Sequence, residues 1–112
     1  MPLSSTEDRL GRPSRSRVEK KQRRKSANFN FSLVNFYAGA KNKFHSHTSD
    51  QILFVTKGEG IVASEAEEVG ISTGDTAFIP AGEKHWHGAA DGQDFTHISL
   101  TGADSETTQY DD

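Results

Sequence analysis

From Ser26 onward, short runs of β-branched and aromatic residues alternate with turn signals, one run every 8–12 residues or so (about the spacing of small β-proteins). Phe29–Tyr37 reads as a strand ended by Ala38-Gly39, and Gln51–Thr56 as a second that turns at Lys57-Gly58-Glu59-Gly60 into Ile61–Ser64. Val69–Ile71 is short and stops at Ser72-Thr73-Gly74-Asp75; Thr76–Ile79 runs into Pro80-Ala81-Gly82. Lys84–Gly88 follows, and Asp94–Leu100 closes the set after Asp91-Gly92. No segment sustains a 3.6-residue apolar period, so no helix is predicted. The pattern predicts an all-β barrel or sandwich over residues 26–101.

The flanks differ from this body. Residues 1–25 hold nine Lys and Arg against three acids, whereas residues 26–112 hold four bases against thirteen acids. Between Gly11 and Lys25 the one aliphatic residue is Val18. Such a segment buries too little to offset its ordering entropy, and a disordered basic arm is expected over 1–25. Its cations at 12–25 could neutralise a polyanion such as nucleic acid. Without interleaved aromatics, however, the run reads first as a solvated tail. Residues 102–112 are polar and acidic, and a flexible tail is expected there.

Composition narrows the chemistry. At 112 residues the chain is too short for a nucleotide-binding fold joined to a substrate domain. With no cysteine there is no disulfide framework, thiolate nucleophile or cysteine-based metal site. No apolar run approaches the roughly 18 residues of a membrane span. The N-terminus has no secretory apolar stretch, and a cytoplasmic protein without membrane contact is expected. A barrel this small has a thin core and open sheet edges, so homodimerisation is expected.

All five histidines fall between positions 45 and 97, and four form two His-x-His pairs. In a strand, i and i+2 point to the same side, so His45 and His47 can aim at one point inside a barrel. Two converging neutral imidazoles make half of a first-row divalent metal site. His85, which opens the second pair, and Gln51, four residues after His47, are the candidates for the remainder. His87 shares an inward face with His85, and Trp86 points the other way. His87 or His97 could act as a base near pH 7, or could hydrogen-bond and fix the ligands. Trp86 and Phe44 read as packing or dimer-contact residues rather than substrate platforms.

Gly39-x5-His45-x-His47-x3-Gln51-x6-Gly58 resembles the first cupin motif, with glutamine in place of glutamate. Gly74-x5-Pro80-x-Gly82-x2-His85 resembles the second, with Ala89 where asparagine is common. The resemblance implies a single-domain double-stranded β-helix, or jelly-roll barrel, and a metal site. The run Gly82–Ala90 followed by Thr96-His97-Ile98 is similar to small cupins that include manganese-dependent hydroxynitrile lyases, which also carry His-x-His-x3-Gln. That similarity implies metal ligation by His45, His47, Gln51 and His85, with His87 and His97 lining the cavity as catalytic candidates. One divalent ion per chain is expected: Mn²⁺ first, with Fe²⁺, Ni²⁺, Co²⁺ or Zn²⁺ also suited to this donor set. A carboxamide leaves the ion its full charge and strengthens its pull on anions. The functional expectation is a metal-dependent lyase acting on a small carbonyl or hydroxy compound. An Fe²⁺-dependent dioxygenase and a non-catalytic sensor or binding module with a basic arm are the alternatives.

Overall fold

The computed structural model describes residues 17–21 and 26–111. Among the described residues there are nine strands: β1 Val18–Lys21, β2 Phe29–Phe36, β3 His45–His47, β4 Gln51–Ser64, β5 Glu68–Ser72, β6 Thr76–Ile79, β7 His85–Ala89, β8 Phe95–Gly102 and β9 Thr107–Gln109. Among the described residues no helix is long and apolar enough to cross a membrane. The strands join antiparallel in the order β1-β2-β8-β4-β7-β3-β9, with β5 and β6 also paired to β4. The sheet curls into a jelly roll whose interior receives alternate residues of each strand.

β4 links the two halves of the roll. Its first half pairs with β6 and β8, and its second half with β5 and β7. The expected turn at Lys57–Gly60 is absent: β4 continues through these residues, and its register with β8 shifts just before them, between Val55 and Lys57, at a bulge. Its glycines serve close approach rather than reversal. Gly58 has φ +81, and a Cβ there would clash with the Asp94 carbonyl oxygen. A Cβ on Gly60 would enter the Phe95 ring. The bulge bends the strand from one sheet into the other.

The flanks also depart from expectation. Val18–Lys21, placed by the sequence in a disordered arm, pairs along β2 from Phe36 to Leu33. A polar network holds it: Arg17 lies 4.2 Å over the Tyr37 ring, and Glu19 accepts from Tyr37 Oη at 3.2 Å and Asn35 Nδ2 at 3.4 Å. An edge strand needs only its ladder and such contacts, so it leaves no apolar signal. The rest of the arm lies outside the described residues. In the tail, expected to be flexible, β9 pairs with β3, and Tyr110 Oη meets Ser46 Oγ at 3.0 Å. Lys84 Nζ sits 4.8 Å over the Tyr110 ring and 5.2 Å over Phe44, which is thus a packing residue.

Val34, Phe36, Ala40, Val55, Ala89 and Phe95 form the apolar core at the closed end of the roll. The histidines occupy the other end.

Candidate metal centre

The two His-x-His pairs arrive on neighbouring strands, with His45 on β3 directly opposite His85 on β7. The ring centroids of His45 and His85 are 4.3 Å apart, those of His45 and His47 5.1 Å, and those of His47 and His85 5.6 Å. Gln51 enters at the start of β4, and His97 comes from β8. Sequence spacing thus brought all six candidates into one region. Ligand nitrogens of His45, His85 and His87 lie within 4.8 Å of one another, so His87 stands among the potential ligands as well as beside them.

The hydrogen bonds fix which nitrogens are free. His45 Nδ1 donates to the Lys43 carbonyl at 2.7 Å, and His85 Nδ1 donates to the Glu83 carbonyl at 2.9 Å. A carbonyl only accepts, so both rings carry their proton on Nδ1 and keep the Nε2 lone pair. His47 Nδ1 pairs with Thr107 Oγ1 at 2.9 Å, while its Nε2 is buried with no partner. Gln51 Nε2 donates to Ser99 Oγ at 2.9 Å, which turns Oε1 toward His85 Nε2 at 3.0 Å. These two acceptors thus present lone pairs to one place, as two ligands of one ion would. Burial pushes the His85 pKa down to about 4, so at neutral pH its Nε2 is unprotonated. An orphaned imidazole nitrogen beside two opposed lone pairs, all from nitrogen and oxygen donors, fits a divalent transition ion.

The other imidazoles are also held neutral. Burial lowers His45, with the Lys43 carbonyl opposing. Burial, then the neighbouring His45, lowers His47; Gln51 opposes this and the Lys20 ammonium adds to it. His97, fully buried, is pushed to about 4 by desolvation. His87 falls well below the ordinary histidine value through burial, reinforced by His97. These last two form a dyad: His97 Nε2 and His87 Nδ1 are 3.1 Å apart, one N–H donating to the other lone pair. Asn42 steadies His87, its Oδ1 accepting from the His87 backbone N–H at 2.9 Å. Phe36 packs 5.6 Å from each ring of the dyad.

A cavity of about 300 Å³ opens onto this cluster. Its walls include His45, His47, Gln51 and His87, together with Val18 and Lys20 of β1 and Thr107 and Gln109 of β9. Both flanking strands therefore close over the mouth. Sequence reasoning missed Asn42, Lys20, Ser99 and Thr107. The paired threonines at 107–108 were the one β signal in the tail. Nothing in the local sequence distinguished Asn42 or Ser99. Trp86 is half-buried on the face of β7 opposite His85 and His87.

A roll of this topology, with a cluster of histidines that could hold a metal ion in its interior, defines a jelly-roll class of β-barrel. The family model of the cupin domain (Cupin_2) matches residues 32–100, and the chain belongs to the cupin family. It is 41% identical over 68 residues to a protein named (R)-mandelonitrile lyase from Granulicella tundricola, a match covering 60% of this chain and 52% of that protein. The chain thus spans about half the length of that curated relative. A cupin-like protein from Thermotoga maritima superposes with a TM-score of 0.72 at 29% identity, covering 82% of this chain and 74% of that one. A double-stranded β-helix protein from Klebsiella pneumoniae gives 0.77 at 16% identity, with 90% of each chain covered, a likeness of fold alone.

Proposed function

We propose that the chain is a metal-dependent lyase of the hydroxynitrile type. It would cleave a small cyanohydrin into a carbonyl compound and hydrogen cyanide, or run the reverse addition. The observation that carries this reading is the pairing of two kinds of histidine in one cavity: rings with free lone pairs beside Gln51, and a buried neutral dyad next to them. The similarity to a mandelonitrile lyase supports it.

His45, His47, Gln51 and His85 would hold the ion, which when bound supplies a positive centre for a substrate oxygen or for cyanide. His87 is kept for proton movement because His97 and Asn42 already engage its ring. In the tautomer that donates Nδ1–H to His97 Nε2, His87 would take the substrate hydroxyl proton on Nε2. The oxygen's electron pair forms the carbonyl, the carbon–carbon bond breaks, and its pair leaves on the cyanide carbon. His87 then returns the proton to give hydrogen cyanide. The Lys20 ammonium at the mouth adds positive potential that favours the anion. Val18 narrows the same opening and limits water.

The test is aldehyde release from mandelonitrile by protein loaded separately with Mn²⁺ and Fe²⁺, with oxygen uptake followed in parallel. The expected result is metal-dependent aldehyde formation without oxygen uptake, abolished in His87→Ala. No release above the blank with any loaded metal would overturn the proposal. Substrate-linked oxygen uptake would move the function to dioxygenase chemistry.

A further inference from the structure

The cavity that opens onto the histidines is edged by cations. Lys20 of β1 and Lys43, two residues before β3, line it, and among the described residues no Asp or Glu does. The surrounding body has the opposite balance, with thirteen acids against four bases in residues 26–112. Elsewhere cations meet acids: Arg17 and Lys21 lie within 4.0 Å of Glu19, Lys41 of Asp91 and Lys84 of Glu65. Lys20 and Lys43 have no such partner among the described residues. Lys57 has none either, but it lies beside Thr96 on the outer face of β4. Two ammonium groups left without a counter-charge at the mouth of one cavity attract an anion.

The register aims Lys20 inward. It pairs with the buried Val34, and Val34 pairs with the buried His97, so all three start from one face. Its charge is felt at His47, whose protonated form it disfavours. Gln109 of β9 lies opposite His45 and lines the same mouth, where its carboxamide can donate. We infer that this mouth is a carboxylate subsite and that the substrate is a small oxo acid, or the cyanohydrin of one. Its carboxylate would lie at Lys20 and Lys43 and its reacting oxygen deeper, among the metal ligands. The inference names the substrate class for the lyase reading and rests on it in placing that oxygen. At about 300 Å³ the cavity is at the small end of ligand sites, so one short molecule spans it. The lining has no arginine to clasp a phosphate in two places. Four neutral ligands also leave a bound ion its full charge, so nothing in the lining repels an anion. A neutral cyanohydrin still enters; the carboxylate adds affinity.

The test is a binding titration, which needs no turnover and therefore fails separately from the lyase reading. 4-Oxopentanoate and its uncharged counterpart 4-oxopentanamide are titrated calorimetrically into the full chain at low salt, with and without Mn²⁺. The acid should bind about 10-fold tighter than the amide in both conditions. Lys20→Gln and Lys43→Gln should each weaken acid binding about threefold and leave amide binding unchanged. The double variant should erase the preference, and Lys20→Arg should keep it. Both lysines are exposed, so the circular-dichroism spectrum and urea midpoint of the variants should match the wild type. Equal affinity for acid and amide, or no measurable binding of the acid at millimolar concentration, would overturn the inference. So would a preference that survives in the double variant or exists only with Mn²⁺, which puts the carboxylate on the ion. Tighter binding of hydroxyacetone phosphate than of the acid, lost in the double variant, would overturn the carboxylate assignment in favour of phosphate.

Discussion

The two ends of the barrel interior are built from the same strands and have opposite chemistry. Along β8 the inward residues run Phe95, His97, Ser99; along β4 they run Val55, Leu53, Gln51; along β2, Phe36, Val34, Ser32. The register stacks these into layers, with Phe36 opposite Phe95, Val34 opposite His97, and Ser32 opposite Ser99. The closed end is therefore dry and apolar, and the open end is lined with lone pairs. His97 lies at the boundary, its ring 5.4 Å from Phe95 and 4.8 Å from His87. The difference teaches that one end of this small domain holds the fold and the other holds the chemistry. Changes at the two ends should therefore separate in stability and in metal affinity.

The largest effect belongs to the closed end. Phe95→Ala removes a fully buried ring and should cost roughly 3–5 kcal/mol in urea unfolding, while the folded fraction still binds metal one to one. Loss of metal binding from the folded variant would break the separation. Next comes pH, acting at the boundary layer. The folded His97 pKa of about 4 lies below the ordinary 6.5, so between these values the unfolded chain binds more protons. Stability is therefore full above neutrality and falls as pH drops from about 6.5 to 4, by about 3 kcal/mol from His97. The urea midpoint of metal-free protein across that range checks this, and His97→Phe should flatten the curve.

Smaller effects belong to the open end. Gln51→Glu replaces a neutral donor by a carboxylate and should tighten divalent metal binding by about 10–100-fold, measured by competition with a chelator. It should also weaken cyanide inhibition, because the bound ion loses net charge. Thr107→Val removes the partner of His47 Nδ1 and should loosen metal about tenfold, with no more than ~0.5 kcal/mol change in unfolding.

How much of this was legible in the sequence follows from which forces leave a one-dimensional trace. Six strands of the body, β2 and β4 to β8, were readable because burial on one side imposes alternation and turns demand glycine, proline or aspartate. The segment Lys57–Gly60 was misread as a turn because glycine serves both a turn and a close approach, and only the Asp94 carbonyl and the Phe95 ring distinguish them. β1 and β9 were invisible because backbone ladders and polar contacts hold them. The clustering of His45, His47, His85 and His87 was legible from His-x-His spacing; Gln51 was offered by its place after His47 and, like His97, by the cupin resemblance. Asn42, Ser99 and Thr107 were not, since a hydrogen-bond partner that is distant in sequence leaves no local mark.

The central claim is that His45, His47, Gln51 and His85 hold one divalent ion. Elemental analysis of protein purified without chelator, beside a His45→Ala/His85→Ala variant, tests it most directly. The account predicts about one equivalent of a transition metal in the wild type, manganese or iron foremost, and none in the folded variant. A wild type that stays metal-free after reconstitution, or a variant that retains its metal, would contradict it.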